Sequence, residues 1–147
     1  MGLSGTTLTS VLLYGSSLFT ANVGDSRSIL VSEGGRVRQL TNDHTADIES
    51  EKIRVLQKGG VIKQLVDQNR NPIGPKRIWL PDSKTPGLAM TRSLGDAIAH
   101  SIGGSCEAEL KVTQLTSKDY FVILASDGVW EFMSNEEVAR IAIPFYA

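Results

Sequence analysis

Apolar and polar positions alternate along the first part of the chain with the two-residue period of a β-strand, and only later take up the period of a helix. Residues 7–14, 18–23, 28–32 and 36–40 are strand-like runs separated by Gly-Ser-Ser, Gly-Asp-Ser-Arg and Glu-Gly-Gly, all of which are turn chemistry. Short turns make successive strands antiparallel neighbours, so this stretch predicts a β-meander. From Asp47 the habit changes. Ile48, Val55 and Leu56 fall on one helical face, charges fill the other, and Gly59-Gly60 supplies a left-handed stop, which predicts a helix over 47–58. Residues 61–86 combine a short apolar start, a polar centre and an isolated strand-like Arg-Ile-Trp-Leu, and are expected to form a long surface excursion. Further on, 109–115 and 121–125 read as strands joined by a turn. Ser134 then stands three residues before Glu137, the spacing of a capping box that opens a last helix. Strands first and helices later, without repeats, give an α+β chain.

Composition narrows the classes. A chain of 147 residues, 41% hydrophobic and 21% charged, can bury the core of an ordinary globular domain. A net charge of −1 leaves no basic footprint, which speaks against nucleic acid and against a membrane surface as partners. No stretch reaches the ~18 apolar residues of a membrane span. The apolar amino terminus lacks the basic flank of a signal peptide and is broken by Gly15, Ser16 and Ser17. Cys106 is the only cysteine, so neither an internal disulfide nor a thiolate zinc site can form. An intracellular location, cytoplasmic or nuclear, is the expectation.

The candidate chemistry lies in carboxylates. In Phe-Val-Ile-Leu-Ala-Ser-Asp-Gly-Val-Trp-Glu, 121–131, an apolar run of the kind covered on both faces ends in Asp127. Gly128 suggests a close approach to the backbone there, and Trp130 a return to the interior. Asp25 and Asp96 share the habit: each follows an apolar or small-residue run and touches a glycine. Hard divalent cations take oxygen ligands and keep several waters, so carboxylates at element ends suit them. Asp beside Gly is also common turn chemistry, and spacing alone leaves both readings open.

Four stretches resemble successive motifs of the metal-dependent protein serine/threonine phosphatases of type 2C, in the family's order: Thr-Ala-Asn-Val-Gly-Asp-Ser-Arg at 20–27, Thr-Asn-Asp-His with the helical segment after it at 41–62, Pro-Gly-Leu-Ala-Met-Thr-Arg-Ser-Leu-Gly-Asp at 86–96, and Phe121 through the Asp-Gly-Val-Trp stretch to Val138. The resemblance implies an α-β-β-α sandwich, two packed antiparallel sheets flanked by helices, here incomplete at the amino terminus, with 64–86 as a variable flap. It implies metal ligands at Asp96 and Asp127, a weaker further site at Asp25, and two ions, with a third in that weaker site, either Mn²⁺ or Mg²⁺. Arg27 and Arg92 also match motif positions and are expected to pair with neighbouring carboxylates. The activity implied is hydrolysis of phosphoserine and phosphothreonine in phosphoprotein substrates by a metal-activated water.

The family's Asp-Gly-His-Gly-Gly stretch, which holds its proton donor, and its phosphate-holding arginine have no match in the sequence, so no catalytic residue is assigned. His44 and His100 are not substitutes: the first belongs to another motif and is expected to hydrogen-bond at the mouth of the helix that follows, and the second is a plain helix or loop residue. The chain is therefore expected to be part of a larger domain and inactive alone, with homodimers through an exposed edge or strand exchange. A pseudophosphatase scaffold that binds proteins is the alternative. A nuclease fits poorly with the near-neutral charge.

Overall fold

The computed structural model describes residues 2–146. Its strands, in chain order, are β1 (Gly5–Thr6), β2 (Leu8–Tyr14), β3 (Ser17–Val23), β4 (Arg27–Ser32), β5 (Arg36–Gln39), β6 (Val61–Val66), β7 (Pro72–Trp79), β8 (Pro86–Leu88), β9 (Leu94–Gly95), β10 (Glu109–Gln114) and β11 (Asp119–Ala125). The helices are α1 (Glu49–Gln57), α2 (Ala97–Ser101), α3 (Asp127–Trp130) and α4 (Asn135–Ala142). Two compact units result. One holds the described residues up to Thr7 together with His44–Glu107, the other Leu8–Asp43 together with the described residues from Ala108.

The second unit takes up the predicted strands, but not as one meander: β2–β3 and β4–β5 pair as expected, whereas β3 and β4 do not pair and the chain between them crosses from one sheet to another. Gly15, with φ +58°, opens a two-residue turn that pairs β2 with β3, Tyr14 opposite Ser17. β10 adds on the other side of β3, and a separate antiparallel sheet runs in the order β11-β4-β5. The sheets pack on each other through Leu18, Leu30 and Leu40, with Val11, Leu115 and Val122 beside them. Each such side chain fully buried contributes roughly 1.5–3 kcal/mol. The far face of β11-β4-β5 buries Ile29 and Val31 against Trp130 and Ala139. β11 thus packs on both faces, but only partly, since Leu124 stays 42% exposed at the edge of its sheet. The capping box forms as the spacing predicted: Ser134 Oγ accepts from the Glu137 N–H while the Ser134 N–H donates to Glu137 Oε2 at 2.8 Å. The outer face of β10-β3-β2 stays open, with Leu12, Phe19 and Val112 in register and exposed.

In the first unit two expectations need refinement. Residues 61–86 lie mostly exposed, as a surface excursion should, but they carry regular structure. β6 and β7 form an antiparallel hairpin and β8 continues the sheet. Its polar centre is the turn itself, where Asp67 Oδ1 accepts from the N–H groups of Asn69 and Asn71, both at 2.8 Å. The strand-like Arg-Ile-Trp of 77–79 ends the central strand, and Ile78 is fully buried with Ala46, Val55 and Ala99.

The helix predicted over 47–58 exists as α1, and Val55 is buried as expected, but the rest of its buried face differs. Leu56 is exposed, whereas Glu51 is 1% exposed. Glu51 Oε1 accepts from Arg54 Nη1 and from Arg92 Nη2, both at 2.7 Å, and Glu51 Oε2 accepts from Arg54 Nη2 and Thr91 Oγ1, both at 2.6 Å. Burial pushes the Glu51 carboxyl up, but hydrogen bonds from Arg54, Arg92 and Thr91 outweigh it and hold it far below the usual carboxylate range. A depressed folded pKa adds stability that is complete above the unfolded pKa and erodes as pH falls below it. Glu51→Gln, which leaves two arginines without their counter-ion, should cost about 3 kcal/mol in urea unfolding at pH 7. That deficit should shrink as pH drops below about 4; an equal deficit at pH 3 and pH 7 would contradict the assignment.

Candidate metal centre

Strand pairing decides where two of the three aspartates go. In the second unit β4 and β11 are antiparallel, and the last pair of their ladder is Arg27 opposite Ala125. Asp25 lies two residues before Arg27, and Asp127 two residues after Ala125, so both leave the ladder at the same end. The loop carrying Asp25 is fixed from below by buried Asn22, whose Nδ2 donates to Gly24 O at 3.1 Å and to Asn42 O at 2.8 Å. Gly24 adopts φ +105°, which a side chain would strain. Asp127 is the first residue of α3, and the Glu131 N–H donates to its carbonyl at 2.9 Å.

The electrostatics follow from that placement. Burial and then the Asp127 carboxylate raise the Asp25 carboxyl above the usual aspartate range; Asp43 and Glu131 add in the same sense, and a backbone hydrogen bond opposes them. Three other carboxylates therefore act on Asp25. Asp43 is largely neutralised by Arg27, whose Nε donates to Oδ1 at 3.0 Å and Nη2 to Oδ2 at 2.6 Å. Arg27 Nη1 donates to Asn135 Oδ1 at 2.7 Å, and its guanidinium carbon lies 5.3 Å from the Trp130 ring centroid. Trp130 is buried, and its Nε1 donates to Ala125 O at 2.8 Å and to Arg27 O at 3.2 Å.

Asp96 belongs to the first unit, and its surroundings differ. It is 3% exposed, it adopts the left-handed region with φ +45°, and it stands at the N-cap of α2 without capping it. Its N–H donates to Ser4 O at 2.8 Å. Among the described residues, its Oδ2 is a buried acceptor with no hydrogen-bond partner. A Cβ on Gly5 would fall 2.0 Å from that oxygen, so Gly5 is what lets the carboxylate sit there. An orphaned buried carboxylate oxygen is costly unless something satisfies it.

The apolar run before Asp127 suggests a buried carboxylate, but of Asp96 and Asp127 only Asp96 is buried. Asp127 is exposed at the start of its helix, so no desolvation cost falls on it. Gly128 serves no close approach, since an added Cβ would meet only Ser126 Oγ at 3.5 Å. Arg27 and Arg92 pair with Asp43 and Glu51, as expected. His100 Nε2 lies 2.9 Å from Ser93 O, a structural contact. His44 is buried and its carbonyl accepts from the Thr91 N–H at 2.8 Å. Asp43 and Glu131 were not singled out from the sequence. The signal for Glu131 was its i+4 spacing from Asp127, while Asp43 carried none without the Arg27 contact.

Among the described residues no three His, Cys, Asp or Glu side chains form a ready ligand set. The donor chemistry nonetheless suits a hard cation. Mg²⁺ and Mn²⁺ are commonly held by one or two carboxylates with water completing the shell. The Asp25–Asp127 pair offers oxygens whose mutual repulsion a cation relieves, and Asp96 Oδ2 offers an unused acceptor.

Known proteins share much of this sequence and fold. The chain is 40% identical over 144 residues to "Probable protein phosphatase 2C 61" of Arabidopsis thaliana, covering 95% of this chain and 43% of the relative. It is 44% identical over 143 residues to "Probable protein phosphatase 2C 64" of Oryza sativa subsp. japonica, covering 94% of this chain and 33% of that protein. The chain thus spans well under half the length of these relatives. The fold matches a serine-threonine phosphatase 2C from Toxoplasma gondii with TM-score 0.85 at 25% identity, over 97% of this chain and 48% of the other. A C. elegans sex-determining protein matches with TM-score 0.71 at 27% identity, over 88% of this chain and 28% of that one. The family model for protein phosphatase 2C matches residues 2–145, and the chain therefore belongs to the protein phosphatase 2C family.

Proposed function

We propose that this chain forms part of a metal-dependent protein serine/threonine phosphatase, with Asp25, Asp96 and Asp127 as ligands to Mn²⁺ or Mg²⁺. The observation that carries the reading is the convergence of Asp25 and Asp127 at one end of the β4–β11 ladder, where burial and then like charge raise the Asp25 carboxyl. Bound there, the ions would acidify a water and neutralise charge on the phosphoryl oxygens. The chain's own residues do the holding. Arg27 keeps the Asp43 carboxylate engaged, which leaves Asp127 as the foremost like charge acting on Asp25 and the pair as the group that gains most from a cation. The Asp96 oxygen, without a hydrogen-bond partner among the described residues, has its acceptor capacity in reserve. Substrates are phosphoserine and phosphothreonine in proteins, and the location is intracellular.

A raised carboxyl pKa means that the folded state favours the protonated form. Its stabilising contribution is complete below the unfolded value and is lost as pH rises through the folded one. At neutral pH ionised Asp25 is thus a liability that a cation removes. Asp25→Asn should raise the Tm at pH 7 in EDTA by roughly 2–4 °C, equivalent to about 1 kcal/mol. The gain should fade toward pH 4. Millimolar Mn²⁺ should raise the Tm of the unmodified chain and act less on the variant; an equal Mn²⁺ response in both would remove Asp25 from the ligand set.

The activity is tested with a phosphothreonine peptide and millimolar Mn²⁺. The 147-residue chain carries no Asp-Gly-His-Gly-Gly stretch to protonate the leaving alkoxide, and should turn over poorly. Extended at its amino terminus by the corresponding segment of the A. thaliana relative, it should show Mn²⁺-dependent turnover that Asp127→Ala lowers about a hundredfold or more. Inactivity of the extended chain with Mn²⁺ bound would favour a protein-binding scaffold instead.

The open face of β10-β3-β2 leaves Leu12, Phe19, Leu110 and Val112 exposed, and contiguous apolar surface of this kind favours association. Self-association of the isolated chain is expected from it, and light scattering should report dimers or larger species that Val112→Glu dissociates. A monomer at high concentration would dismiss this.

A further inference from the structure

We infer that Trp130 is a positioning residue for Asp25 and Asp127, its indole N–H clamping together the two strand ends that carry them; what the pair binds rests on the metal reading above. The two acceptors of that N–H, Ala125 O at 2.8 Å and Arg27 O at 3.2 Å, belong to the last cross-strand pair of the β4–β11 ladder. Beyond this pair no ladder bond holds the chains together, and both continue to a carboxylate two residues on. Like charges repel, so the end of the ladder is where the two loops would splay. A single donor shared between both strands resists that motion at its root.

Packing alone does not require this arrangement. Trp130 sits among Ile29, Val31 and Ala139, where any large apolar ring would fill the space. The N–H is the part with a second task, because a buried indole needs one acceptor and here it engages two, one from each strand. Arg27 reinforces the device through a different group. While its carbonyl accepts from the indole, its guanidinium stacks over the ring at 5.3 Å, forks onto Asp43 and reaches Asn135 Oδ1 at the first residue of α4. The loop bearing Asp25 is thereby fastened to β11, to Asp43 and to α4 within the same unit. Outer groups that orient ligands in this way change metal affinity by about 10–100-fold when removed.

The test uses the 147-residue chain with Trp130→Phe, which keeps an aromatic ring and deletes the N–H. Amide hydrogen exchange by NMR is read at 25, 26, 127 and 128, with Ile29 to Val31 as internal references, and Mn²⁺ affinity is read by water-proton relaxation. Exchange at the four loop positions should accelerate about tenfold while the references hold, and the Mn²⁺ dissociation constant should rise about tenfold. Val138→Ala, which trims packing against the same core without touching the indole, should lower the Tm and move neither readout. Should the phenylalanine variant not fold, 3-benzothienylalanine at 130 replaces the N–H with sulfur at nearly the same shape and serves in its place. Unchanged loop exchange in the N–H-deleted chain overturns the inference, as does equal loosening by Val138→Ala. If the parent chain binds no Mn²⁺ while deletion of the N–H still loosens the loops, the metal reading falls and the positioning role stands.

Discussion

The antiparallel pairing of β4 with β11 is the constraint from which the rest of the site follows. These strands are separated in sequence by most of the chain, yet once Arg27 stands opposite Ala125, Asp25 and Asp127 must emerge side by side. Neither aspartate selects the other, and left to themselves they would separate. The pairing is held by hydrophobic burial on both sides of the sheet: Leu30 and Val122 face the second sheet, while Ile29, Val31, Phe121 and Ile123 face Trp130 and Ala139. Apolar contact distributed over many side chains, each contributing roughly 1.5–3 kcal/mol when fully buried, outweighs one pair of crowded carboxylates. The like-charge repulsion at the end of the ladder is in this sense a strain that the packing tolerates.

How far this was legible in the sequence depends on the length scale of the signal. The first strands and their hairpin turns, the last strand and the capping box at Ser134 depend on neighbours within a few residues, and those parts agree with the structure, whereas the Gly-Asp-Ser-Arg turn that looked like a third hairpin instead carries the chain from one sheet to the other. The flap hairpin was hidden because Asp67, Asn69 and Asn71 build a turn whose composition looks like a loop, and because Pro72 and Pro75 disguise β7 as a poor strand. The buried face of α1 was misjudged for another reason. Periodicity assumes that apolar side chains go inside, whereas Glu51 is carried in by Thr91 and Arg92, forty and forty-one positions away.

The site residues show the same divide. Asp25, Asp96 and Asp127 were identified by type and by their glycine neighbours, but burial could not be. A carboxylate after an apolar strand looks buried, and Asp127 is exposed because α3 begins there and turns it outward; Asp96, in an unremarkable Leu-Gly-Asp, is buried because Gly5 leaves room for its oxygen. Asp43 and Glu131 entered only through space, the first by way of Arg27 and the second through its effect on Asp25.

Two kinds of buried or half-buried acid are thus present in one chain, and their surroundings tell them apart. Glu51 is surrounded by donors: two guanidinium groups and a hydroxyl satisfy both oxygens, and its charged form is favoured despite burial. Nothing more can be gained by bringing in a ligand. Asp25 is surrounded by other acids, and Asp96 Oδ2 has no donor among the described residues. A folded chain keeps such groups only at a cost to stability, and the cost disappears when a cation supplies the missing positive charge. Charge state alone would not separate these roles, since all three residues are simply carboxylates. The number and sign of the groups facing each one does, and by that criterion Glu51 belongs to the scaffold while Asp25 and Asp96 are the acids that the chain's own donors leave least satisfied.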